Sequence, residues 1–340
     1  MSRIFVCGYG AVSPAGWSAG EMMQALAAGA PLAIQPLARP GWEKPLRMHS
    51  VPPPAIRPAF LAHPRLRRTS PITHYAAAAM LEALEPLRRQ PAGPEQRIGL
   101  LVCLQSGCVQ YTHRFFAEAL ADPATASPLL FPETVFAAPA SHLTALLENA
   151  PLVSTLMGDP ATFAQGLALG ADWLVQDRVD IAVVLGAEEI NWLRADALWH
   201  LEKSAIISGG AGAVALCRDP GLAGGVELMQ VTRPWSYANH RNRQQAATAV
   251  RADLAPREGE LLCDSQGHSP RTDGPEAAVW QDWRGPRLSP KTVLGEGLMA
   301  ASAWQCVAAC AAVAAQQYPS AITSLSGCNQ QAAGIRFSGV

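Results

Sequence analysis

The chain has 340 residues, 49% of them hydrophobic and only 16% charged, with a net charge of −1. That length supports one large domain or two ordinary ones around a thick core. The near-neutral balance argues against a nucleic-acid binder, which needs a strong basic excess.

From the N-terminus, residues 1–8 are too short and too quickly interrupted for a signal peptide, and residues 4–8 read as a strand. Further strand-like apolar runs, bounded by Gly, Asp or Pro, occupy 98–104, 181–185, 213–216 and 261–263. Helical patterns cover 21–28, 72–85, 139–148, 160–176, 241–255 and 297–316. Near-continuous apolar strands between helices predict an α/β fold with its sheets covered on both faces. The Pro-rich stretch 40–64 and the Pro/Arg/Gly stretch 271–290 read as surface loops. Residues 297–315 carry no charge, but the run is alanine-rich and holds Ser302 and Gln305. It is weakly hydrophobic for a spanning helix and better suited to the centre of a large core, so no membrane span and a cytoplasmic protein are expected. The eight cysteines are scattered and several sit in apolar runs, as small buried residues of a reducing compartment do. Cys306 and Cys310 are one helical turn apart, but no His/Cys set with zinc spacing accompanies them, so no metal is expected.

The chain has a two-part rhythm. Residues 1–217 close on the Gly-rich run Ser208-Gly-Gly-Ala-Gly-Ala-Val-Ala-Leu216, and residues 218–340 begin a second strand-helix-strand series. Within the first part, Gly158-Asp159-Pro160-Ala161-Thr162 opens a buried helix that feeds a buried strand. Asp is a preferred N-cap and Pro is favoured at the first helical position, so Asp159 is expected to cap this helix with its own carboxylate.

Separated segments in order along nearly the whole chain resemble the β-ketoacyl-acyl-carrier-protein synthases. They are Gly8-Tyr-Gly-Ala-Val-Ser-Pro-Ala-Gly16, Arg67-Arg-Thr-Ser-Pro-Ile-Thr-His-Tyr75, Ala137-Ala-Pro-Ala-Ser-His-Leu143, Gly186-Ala-Glu188 and Pro290-Lys-Thr-Val-Leu-Gly-Glu-Gly297. The resemblance implies a thiolase-like five-layer αβαβα fold built from two similar halves, 1–217 and 218–340. It also implies a nucleophilic cysteine at the start of the helix near residue 160, where the amides and helix dipole favour a thiolate. No cysteine lies between Cys108 and Cys217. The family's two histidines fall at Gln266 and Glu296, and its lysine is kept as Lys291. A glutamate is a poor substitute for an imidazole that must stabilise a developing enolate.

With Asp159 and Pro160 at the nucleophile position, the catalytic set is vestigial, and Lys291 with Glu296 is expected to form a buried ion pair. The chain is then similar to the inactive chain-length-factor subunits of type II polyketide synthases, in particular those of aryl-polyene pathways. That resemblance implies a heterodimer with an active ketosynthase, contact with acyl carrier protein, and no cofactor. Met157 and Phe163 are candidates for setting tunnel depth, and Arg65, Arg67 and Arg68 for docking an acidic carrier protein. The competing readings are an acyl-transfer or decarboxylating enzyme using Asp159, Thr162 or His268, and a homodimeric carrier-protein-binding scaffold.

Overall fold

Phe5–Val12 (β1) and Gly210–Cys217 (β8) are apolar almost throughout and pair antiparallel inside a covered sheet. The computed structural model describes residues 3–88, 96–147, 149–328 and 330–340, with the His240 side chain left out. After β1, the first half of the chain forms α1 (Ala19–Ala28), β2 (Gln35–Leu37), β3 (Leu46–His49), α2 (Pro71–Arg88), β4 (Ile98–Leu104) and α3 (Val109–Ala121). It continues through α4 (Ala138–Thr144), β5 (Leu152–Met157), α5 (Thr162–Val175), β6 (Ile181–Glu188), α6 (Trp192–Leu201), β7 (Ile207–Ser208) and then β8. The second half forms β9 (Val226–Val231), β10 (Trp235–Ser236), α7 (His240–Leu254), β11 (Leu261–Cys263) and α8 (Pro270–Val279). It ends with β12 (Arg287–Leu288), α9 (Pro290–Leu294), α10 (Met299–Ala314), β13 (Ser320–Ser326) and β14 (Gln331–Gly339).

The first half-sheet runs β5-β4-β6-β8-β1, parallel from β5 to β6 and antiparallel from there on. The second runs β12-β11-β13-β14-β9 with the same senses. Matching β1, β4, β5, β6 and β8 to β9, β11, β12, β13 and β14 reproduces every pairing, so the two half-sheets share one topology. A short β1–β9 contact at Phe5–Glu227 and Val6–Val226 joins them. Helix α2 covers the outer face of the first, α7 that of the second, and α5 and α10 lie between the two. The layers are therefore αβαβα.

The central helix α10 is the weakly hydrophobic run, and all its residues except Ala311 and Ala314 are buried. Its alanines are dictated by close approach. A Cβ on Gly186 would stand 2.6 Å from the Met299 carbonyl oxygen, and one on Gly212 would stand 2.7 Å from the Ala303 Cβ. No helix among the described residues is long and apolar enough to cross a membrane.

Three expectations are corrected. Residues 271–279, expected to be loop, belong to α8, because burial of Glu276, Val279 and Trp280 outweighs the weak local propensity of a Pro- and Gly-bearing run. Within 40–64, residues 46–49 are a strand whose Leu46 and His49 are buried in the small β2-β3-β7 sheet. Helix α5 begins at Thr162, not at Pro160, and its cap position is Ala161. Glu148, at the end of the expected 139–148 helix, lies outside the described residues.

Candidate functional site

The turn from β5 into α5 closes with tight backbone bonds: Thr162 N–H donates to the Asp159 carbonyl at 2.7 Å, and Phe163 and Ala164 N–H donate to Pro160 and Ala161. The first amides of α5 are thus used by its own turn. The Asp159 side chain, only 3% exposed, points away from the helix it was expected to cap.

It fills a cradle of backbone donors from the β13–β14 loop. Asp159 Oδ1 accepts from Cys328 N–H at 2.9 Å, and Oδ2 accepts from Gln331 N–H at 3.0 Å and Gln330 N–H at 3.3 Å. Amides converging on one point are how an oxyanion is stabilised. Here the protein supplies the anion itself. The loop is held in this pose by the Gly327 carbonyl, which accepts from Tyr237 Oη at 2.5 Å and from Arg243 Nη2. Gly327 must be glycine, since a Cβ there would stand 1.5 Å from Asp159 Oδ2.

The same loop returns a cysteine to the site. Cys328 Sγ donates to Asp159 Oδ1 at 3.2 Å, and burial, then the Asp159 charge, pushes its pKa well up. A thiol held protonated this way is a poor nucleophile. Thr162 Oγ1 is engaged by Gln331 Nε2 at 2.7 Å. His268 is exposed, with a left-handed φ of 64°.

Lys291 and Glu296 make the expected ion pair, Nζ to Oε2, at 2.8 Å. Burial acts to lower the Lys291 pKa, but the Glu296 charge and hydrogen bond, together with the Asp273 and Glu276 charges, make the net shift upward. The other Glu296 oxygen accepts from Leu298 N–H at 2.8 Å, steadying a non-glycine residue at φ 51°. Gln266 Nε2 donates to the Asp273 carbonyl and to Glu276 Oε2. Glu276 also accepts from Ser324 Oγ at 2.5 Å and Ser265 N–H at 3.0 Å, and burial, then Asp264, pushes its pKa up to about 8. Around Lys291, Glu296, Glu276, Gly327 and Cys328 the remaining void is ≈ 20 Å³. That is room for about one water.

The structure thus brings Lys291 and Glu296 to one void, with Asp159 against its Cys328 edge and Gln266 behind the lining, bonded to Asp273 and Glu276. Pro160 serves the turn. Phe163 is wholly buried in the central core, whereas Met157 is 62% exposed at the end of the edge strand β5. Arg65, Arg67 and Arg68 are exposed on the surface. Sequence reasoning missed Cys328, Glu276, Asp273, Tyr237 and Arg243. Pro270 at a first helical position with an acid three residues on was an available signal for α8 and Asp273.

Two matched half-sheets enclosing α5 and α10, with β-strand loops meeting at the head of α5, define the thiolase-like ketosynthase fold. No family model and no curated protein matches the sequence. Solved structures with the same fold include the ishigamide ketosynthase/chain length factor, at 18% identity and TM-score 0.82 over 100% of this chain and 99% of that one. A β-ketoacyl synthase from Burkholderia phymatum superposes at 16% identity and TM-score 0.79 over 100% of both chains. The ketosynthase ApeO in complex with its chain length factor ApeC from Xenorhabdus doucetiae gives 14% identity and TM-score 0.79 over 100% of this chain and 98% of that one.

Proposed function

We propose that this chain is a ketosynthase-like subunit without condensing chemistry of its own. It pairs with an active ketosynthase as a chain-length factor and shapes the tunnel for carrier-protein-bound polyketide or polyene chains, in the manner of the aryl-polyene systems. The observation that carries this reading is Asp159, whose carboxylate occupies the amide cradle that an acyl oxygen would need. A second chain must then supply the thiolate. The edge strand β5, with Val153 and Met157 exposed, offers it a surface, and Phe116, Leu120, Leu129 and Phe131 are further exposed apolar side chains on and after α3. Exposed apolar side chains on an unpaired strand edge favour association. The halves 1–217 and 218–340 would be retained for this pairing, and Met157 would reach a tunnel only once a partner covers the edge. Arg65, Arg67 and Arg68 would meet the acidic carrier protein, and no metal or cofactor takes part.

The test is co-expression with a candidate ketosynthase encoded beside this chain, followed by acyl transfer from labelled carrier protein. The expected result is a stable heterodimer labelled on the partner alone. Label on this chain, or a stable homodimer that ignores the partner, would overturn the proposal.

A further inference from the structure

A second cavity, of ≈ 450 Å³, lies between α6 and the β2-β3-β7 sheet. Leu198 and Ala205 line both it and the filled void, but its chemistry is different. Its floor belongs to a small buried apolar cluster of Leu46, Ala195, Leu198 and Ile207. Its walls carry Arg39, Lys44, Arg47 and Lys203 and no carboxylate, in a chain whose 26 basic residues are matched by 27 acidic ones.

Among the described residues only one of these four cations is paired with a carboxylate. Arg39 is buried, pairs with Asp196, and lies over the rings of Trp42 at 3.9 Å and Trp199 at 4.6 Å. Even so, its Nε has no hydrogen-bond partner among the described residues. Arg47 Nη2 reaches only the carbonyls of Lys203 and Ser204, and the Lys203 ammonium stands 5.2 Å from the Trp199 ring. Among the described residues no carboxylate pairs with Lys44, Arg47 or Lys203. Cations gathered over a low-dielectric floor repel one another and raise the local potential for an anion. Trp42 adds a flat, 59% exposed indole at the mouth.

We propose that this cavity binds a nucleoside diphosphate, its base stacked on the exposed Trp42 indole and its phosphates held by Lys44, Arg47 and Lys203. The volume falls within the roughly 300–1,000 Å³ typical of small-molecule sites. A single carboxylate on an aliphatic chain would leave two of the three cations uncompensated, and would make no use of a planar wall. This inference does not depend on the pairing proposed above.

The test is calorimetric and tryptophan-fluorescence titration of the purified protein, alone or with whatever subunit copurifies, using ADP, inorganic diphosphate and dodecanoate. Saturable one-to-one binding of ADP that weakens with salt is expected. Substituting Lys44→Ala together with Lys203→Ala should weaken both ADP and diphosphate by about tenfold or more. Trp42→Ala should weaken ADP roughly tenfold while leaving diphosphate unchanged. All three side chains are exposed, and thermal unfolding of the variants confirms that the fold is kept. No saturable ADP binding at millimolar concentration, binding indifferent to the lysine substitutions, or preferred binding of dodecanoate would each overturn the proposal.

Discussion

Replacing Asp159 by Asn isolates the contribution of the self-filled cradle, because shape is kept while charge and one acceptor are lost. In the wild type, among the described residues, three backbone N–H groups and one thiol donate to the carboxylate. An amide can keep its oxygen on the Gln330 and Gln331 N–H groups only by turning its NH₂ toward the Cys328 N–H, a donor against a donor. Hydrogen bonds to a charged acceptor contribute about 1.5–3 kcal/mol and neutral ones about 0.5–1.5 kcal/mol. Two weakened bonds at about 1 kcal/mol each, plus one lost bond at about 2 kcal/mol, give a destabilisation of ~4 kcal/mol. The side chain is buried, so solvent screening does not erode this figure. Urea unfolding measures the total, and amide hydrogen exchange locates it. Faster exchange is expected at Cys328, Gln330 and Gln331, with little change in β4. A loss below about 1 kcal/mol together with unaltered exchange at those three amides would refute the cradle as an energetic unit.

Three further outcomes are expected. Lys291→Met leaves Glu296 unpaired at a partly buried site and should cost about 3–5 kcal/mol, whereas Lys291→Met with Glu296→Gln should recover most of it; a double-mutant cycle in urea reads the coupling. Glu276 holds its proton up to about pH 8 when folded but gives it up near the ordinary glutamate value of 4.5 when unfolded, so the native state binds the extra proton in that window and loses stability as pH rises through it. Glu276→Gln should therefore gain stability relative to wild type between pH 5 and 8, by up to about 1.4 kcal/mol per unit, and parallel pH profiles would count against the raised value. Gly327→Ala should displace the β13–β14 loop and lower the melting temperature, and adding Asp159→Gly should restore part of the loss, since the inserted methyl clashes with Asp159 Oδ2; equal destabilisation in both backgrounds would deny that contact.

How far the sequence could be read depended on whether the deciding contact was local. The runs 98–104 and 261–263 are strands β4 and β11 residue for residue, because strands buried on both faces announce themselves by unbroken apolar sequence. Helix α10 was readable for the same reason. Strand β5 was not, since an edge strand with Ser154 and Thr155 half-buried has no such signature. Helix α8 hid behind Pro270, Gly274 and Pro275, and its burial comes from Ser324 and Trp280, contacts the local sequence does not display. Lys291 and Glu296, five residues apart, could be paired on paper; Cys328 could not be placed near residue 159, because a search for a nucleophile around the head of α5 looks along the chain and not across it.

Asp159 shows why such a reading fails by magnitude and not by accident. As an N-cap the residue would contribute about 1 kcal/mol, the usual worth of a side chain on one or two free helix amides. Turned the other way, it satisfies among the described residues three amides 169 to 172 residues away, each bond charge-assisted at about 1.5–3 kcal/mol. The helix loses little by the exchange, for its opening amides close on the carbonyls of Asp159, Pro160 and Ala161. Sequence rules for Asp before Pro count only the smaller of these two terms. The larger one exists only after the two halves have folded against each other, so no rule applied along the chain can count it.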